Sequence, residues 1–128
     1  MRVLLDTHAL IWFAFDDPKL SEASKRVILS FDNDVAVSAA SAWELTTKVR
    51  LGKLSIAAKF AYDFRTKVKG LGFEELPITV EHGQRAGLLP GEHKDPFDRM
   101  LIAQALTENI PIVSNEKVFD RYHVRRIW

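Results

Sequence analysis

Residues 1–15 read MRVLLDTHALIWFAF, and this stretch sets the fold. Arg2–Leu5 is apolar without alternation, as in a short strand covered on both faces. Asp6 ends the strand. Residues 7–15 then read as a strongly apolar helix carrying Trp12 and Phe13, mainly core aromatics, and Asp16-Asp17-Pro18 stops it. A strand that runs straight into a helix opens a parallel α/β unit.

The same alternation continues outward. The pattern predicts a helix over 21–31 capped by Ser21, a strand over 35–38, and a helix over 40–51 closed by Gly52. A helix over 57–68, ended by Gly70 and Gly72, leads to a strand over 73–78 and a short helix over 79–86. A loop, a long apolar helix over 96–108, and strands over 111–114 and 124–128 complete the chain. The prediction is one domain spanning 1–128, a three-layer α/β/α sandwich around a mostly parallel sheet of about five strands. Such sheets bind ligands beyond the carboxyl ends of their strands.

Composition narrows the classes. The chain has 128 residues, 47% hydrophobic and 27% charged, enough for one proper core. No apolar run approaches the roughly 18 residues of a membrane span. The N-terminal apolar run is interrupted by Asp6 and His8 and lacks a small-residue cleavage site, so no signal peptide is expected. The absence of cysteine excludes disulfide and thiolate chemistry and fits a cytoplasmic home. The net charge of +1 hides an asymmetry: residues 48–69 hold seven Lys or Arg against one acid, and the rest is acidic overall. A basic segment of this kind fits a polyanion partner and a solvated helix face equally well.

Asp6 ends the first strand, Glu44 lies near the start of the helix after the second, and Asp98 lies in the first turn of the helix opened by Pro96. Asn115 follows the fourth strand. Each has a plain structural reading. Asp6 is placed to cap a helix, Ser41 and Glu44 have capping-box spacing, and Asp95-Pro96-Phe97-Asp98 reads as a cap, an N1 proline and an acid at N3. Asp95 itself is best read as that cap. As a set in apolar surroundings the three acids are harder to dismiss. Carboxylates about 4 Å apart repel by roughly 4 kcal/mol at an effective dielectric near 20. Protons at raised pKa or a cation must hold them together. Oxygen donors without thiolates suit Mg²⁺ or Mn²⁺ better than Zn²⁺, so neither His8 nor His93 is needed as a ligand.

LLDTHALIW (4–12), SAASAWELTTKVRLGKL (38–54), DPFDRMLIAQA (95–105) and IVSN (112–115) together resemble the PIN-domain ribonucleases, specifically VapC toxins of bacterial toxin–antitoxin pairs. The likeness spans essentially the whole chain. It implies a Mg²⁺-dependent endoribonuclease, with Mn²⁺ as substitute, that hydrolyses RNA phosphodiester bonds with a metal-activated water. Asp6 and Asp98 are then the metal ligands, and Glu44 completes the site. Asn115 stands where the family often has a fourth acid, which argues for one metal; Asp120 is a less well spaced replacement. Thr7 is placed to hydrogen-bond a carboxylate or a metal-held water. Lys48, Arg50, Lys53 and Arg99 are expected to grip RNA phosphates. The implied partners are RNA, a VapB-like antitoxin and a second copy in a homodimer, with no membrane. The competing reading is a catalytically weak PIN-fold RNA-binding or regulatory module. A phosphatase fits poorly: LLDTHA lacks the second Asp of a haloacid-dehalogenase-like site, and no Gly-rich phosphate loop is present.

Overall fold

The computed structural model describes all residues, Met1–Trp128. Five strands, β1 (Arg2–Leu5), β2 (Asp34–Ser38), β3 (Glu74–Leu76), β4 (Ile112–Val113) and β5 (Arg126–Ile127), form one sheet in the order β3-β2-β1-β4-β5. Every pairing is parallel. β1 is central, with Leu4 in register with Ala36 on one side and Ile112 on the other.

The apolar run at the N-terminus explains that position. Val3, Leu4 and Leu5 have no exposed surface. Val3 and Leu5 join a core with Val35, Val37, Leu10, Ile28, Phe60 and Val68, while Leu4 joins a second core with Ala36, Ile112, Leu101 and Ile102. Adjacent residues of a strand point to opposite faces, so a strand covered on both sides must be apolar throughout. Each fully buried Leu contributes roughly 2–3 kcal/mol.

The first core lies under α1 (Thr7–Ala14), α2 (Glu22–Leu29), α4 (Ala58–Tyr62) and α5 (Phe64–Gly70); the second lies under α7 (Pro96–Glu108). α3 (Ala39–Arg50) gives Leu45 to one core and Ala40 to the other, and α6 (Val80–Leu88) packs on α7. The result is the three-layer sandwich with five parallel strands. No helix is long and apolar enough to cross a membrane.

Local differences from the sequence reading have identifiable causes. The helix expected over 57–68 is a 3₁₀ turn (Ser55–Ala57) followed by α4 and α5, with Asp63 between them out of helical geometry at φ −104°, ψ 27°. α4 packs on α3 and α5 on β3, and one straight rod would not serve both neighbours. α3 starts earlier than expected because Ser38, not Ser41, caps it by accepting from the Ala40 amide at 2.9 Å. Ser41 and Glu44 therefore lie inside the helix, and the capping-box reading of Glu44 is overturned. Asp95 does cap α7, accepting from the amides of Phe97 and Asp98.

Candidate active site

The chain leaves β1 towards β2 and β3, then returns through α6 and α7 to the opposite side of β1. The strand order thus reverses between β1 and β4, and at such a switch point the loops diverge and open a crevice. Leu5 and Val113 are register partners, so the next residues, Asp6 and Ser114, face each other across it. Ser114 Oγ donates to Asp6 Oδ2 at 2.6 Å. Asp6 sits at the N-cap position of α1 but makes no capping bond with its side chain. It is 3% exposed. Burial pushes its carboxyl up to about 6; the Ser114 hydrogen bond and the His8 charge oppose this, and the charges of Asp98 and Glu44 add to it.

Asp98 enters from the first turn of α7. His93, in the loop between α6 and α7, places Nε2 2.9 Å from Asp98 Oδ2. Burial raises the Asp98 carboxyl, the His93 hydrogen bond works against that, and Asp95 and Glu44 raise it further. Glu44 enters from the second turn of α3, 4% exposed, and accepts from Lys48 Nζ at 2.6 Å. The three acids of the sequence reading therefore lie within one another's electrostatic reach.

Each acid has one oxygen held by a local partner: Ser114 for Asp6, His93 for Asp98, Lys48 for Glu44. The other oxygens, Asp6 Oδ1, Asp98 Oδ1 and Glu44 Oε1, have no hydrogen bond, yet no buried side-chain oxygen in the chain is unpartnered. Each therefore keeps some solvent-accessible surface. No three His, Asp or Glu side chains converge as a preformed metal cage. The donor chemistry, oxygen only and excess negative charge in a semi-buried crevice, fits a hard divalent cation.

Several expected residues have other engagements. Asn115 is exposed and its side chain hydrogen-bonds nothing; Ser114, one residue earlier, is the group that reaches Asp6. Its position at the end of β4, level with Asp6 at the end of β1, is a signal visible only once the strand order is known. Asp120 is committed to both Nε and an NH₂ of Arg126, which holds its carboxyl below the usual range, and it takes no part in the site. Arg99 donates to the backbone carbonyls of Ala86, Gly87, Leu89 and His93, so it braces a loop and has no fork free for phosphate. Lys48 serves Glu44, whereas Arg50 and Lys53 are exposed and form no ion pair. Thr7 Oγ1 donates to Ser41 Oγ at 2.9 Å and touches no carboxylate. Trp43 is 60% exposed, edge-on to Phe97 with ring centroids 4.8 Å apart. A concavity of about 1100 Å³ borders His93 but none of the three acids.

Among curated proteins no sequence match is found. Solved structures do match. A chain of the complex described as VapBC2 from Rickettsia felis bound to a DNA fragment from their promoter superposes with TM-score 0.67 at 19% identity, covering 98% of this chain and 97% of that one. FitAcB from Neisseria gonorrhoeae gives TM-score 0.68 at 18% identity, over 97% of this chain and 95% of that one. VapBC-1 from nontypeable Haemophilus influenzae gives 0.60 at 13% identity, over 98% and 96%. At these identities the likeness establishes the shared fold. The PIN domain family model matches residues 3–124, nearly the whole length, and the chain belongs to the PIN domain family.

Proposed function

We propose that this PIN domain is the toxin of a toxin–antitoxin pair, an endoribonuclease that uses Mg²⁺, or Mn²⁺ in its place. The observation that carries this reading is the trio Asp6, Glu44 and Asp98 at the switch point, each with one oxygen held and one left open. Asp6 and Asp98 hold the ion, and Glu44 completes the acidic site. The bound cation supplies Lewis acidity and an activated water for phosphodiester hydrolysis. Burial of Asp6 lowers the local dielectric and so strengthens its hold on positive charge. Arg50 and Lys53 on the exposed basic segment bind flanking phosphates, contacts that position RNA with little sequence information. Asn115, next after Ser114, offers its free amide to the same substrate.

The partners follow from the same reading: a VapB-like antitoxin that covers the site, and a second copy in a homodimer, in the cytoplasm. The antitoxin is supported by neighbours described as VapBC and FitAcB complexes and by the sequence motifs. A PIN-fold RNA-binding module without catalysis is the second reading, favoured by the lack of a preformed three-donor cluster.

The two separate in one assay. Wild-type, Asp6→Asn and Asp98→Asn chains, purified free of any partner, are incubated with RNA at graded Mg²⁺. Cleavage is expected to require Mg²⁺ and to fall by at least about 100-fold in either variant. RNA binding without cleavage by the wild type favours the module. Undiminished cleavage by both variants sinks the metal assignment.

A further inference from the structure

We propose that His93 is a positioning residue for Asp98, held in place by Arg99, and that the pair selects the Asp98 oxygen presented to a cation. The proposal rests on the reading above that Asp98 is a metal ligand.

The segment between α6 and α7 has no regular structure, and a histidine there would ordinarily sample many positions. Arg99 removes that freedom. Its Nε donates to the Ala86 carbonyl at 3.1 Å, one terminal nitrogen to the His93 carbonyl at 3.0 Å, and the other to the Leu89 carbonyl at 2.6 Å and the Gly87 carbonyl at 3.5 Å. The last carbonyls of a helix lack intrahelical donors, and the guanidinium fork fills that role at the end of α6 while reaching forward to His93. On its far side the loop rests on Tyr122: a Cβ built on Gly91 would stand 3.0 Å from Tyr122 Oη, and Gly91 has φ +91°. Asp95 then caps α7 and fixes the loop's exit.

Arg99 follows Asp98 directly on α7. The residue that anchors the His93 backbone and the residue that receives its side chain thus share one helical turn. Their closed circuit runs from Arg99 through the His93 carbonyl and ring to Asp98 Oδ2. It ties Oδ2 and leaves Oδ1 unbonded. A polar contact this near the surface, with His93 28% and Asp98 19% exposed, gives little stability. Aiming a ligand oxygen is what such an outer hydrogen bond does well.

The test uses the full chain, with Mn²⁺ as probe, measured by titration calorimetry and by electron paramagnetic resonance of the free ion. Melting temperature of the metal-free protein is the second readout. His93→Ala is expected to weaken Mn²⁺ binding about tenfold and to melt within about 3 °C of wild type. His93→Gln, which keeps a donor of similar reach, is expected to recover most of the affinity. Arg99→Lys, which lacks the fork, is expected to match His93→Ala in affinity. Asp98→Asn is the control. Wild-type affinity in His93→Ala, alongside loss in Asp98→Asn, overturns the positioning role and spares the metal site. Equal weakening in His93→Ala and His93→Gln with a large drop in melting temperature reduces His93 to a structural part and also overturns it. Wild-type affinity in Asp98→Asn removes the metal site, and the proposal with it.

Discussion

Asp6 has a carboxyl whose pKa rises from 3.8 to about 6 because burial penalises its charge. The sign of the linked stability follows. Between those values the folded chain binds a proton that the unfolded chain has released, so stability falls as pH rises through this window and stays at the lower level above it. Two pKa units correspond to at most about 3 kcal/mol in the metal-free protein. Asp98, also raised by burial, acts in the same direction. Asp6→Asn keeps an oxygen for Ser114 and removes the ionisation. In urea unfolding with chelator, that variant is expected to exceed wild type by about 1–3 kcal/mol at pH 7.5, with the gap closing towards pH 4. Equal stability at pH 7.5 would show that burial of this charge is relieved in another way. The sequence marks Asp6 as an acid between a buried strand and an apolar helix, which makes its desolvation legible. It does not show that Ser114 is the partner, because residues 6 and 114 meet only through the β1–β4 pairing.

Helix starts separate what an element encodes locally from what its neighbours decide. α7 begins where Asp95-Pro96 places it, since the cap, the N1 proline and the amides it serves are contiguous. Asp95→Ala is expected to cost about 1 kcal/mol in a chemical melt. A loss near zero would mean that solvent satisfies the amides of Phe97 and Asp98 equally well. α3 is less legible because Ser38 and Ser41 are both eligible caps. Ser38 takes the role, and Ser41, buried inside the helix, accepts from Thr7 of α1. That choice moves Glu44 from the first turn to the second, where Lys48 lies one turn on and neutralises it. The division at Asp63 has the same origin: an amphipathic pattern signals helix, but α3 and β3 set the direction of each half.

Across the whole molecule, the charge asymmetry of the sequence survives folding in reduced form. Lys48 is tied to Glu44 and Arg65 to Glu75, while Arg50, Lys53, Lys59, Lys67 and Lys69 form no ion pair. If Arg50 and Lys53 each hold one RNA phosphate, replacing both with Gln lowers the slope of log affinity against log salt by about 1.4. Filter binding of a single-stranded RNA at several salt concentrations reads that slope, and an unchanged value removes these two residues from the interface. The parallel α/β class and the positions of nearly all the elements are legible in the residues alone, and the same stretches mark the three acids as candidates. Strand burial, helix period and capping are written in short contiguous stretches, and the rule that sites lie at the carboxyl edge does the rest. Lys48 meets Glu44 within a single helix, but the partners of Asp6 and Asp98 come from the fold. Ser114 is 108 residues from Asp6, and the fork of Arg99 closes on carbonyls 6 to 13 residues away. Hydrogen-bond partners at such separations depend on strand order and loop path, which no local pattern specifies. The opening strand placed Asp6 at the sheet edge; the fold supplied the serine and the histidine that hold one oxygen of Asp6 and of Asp98 and leave the other unbonded.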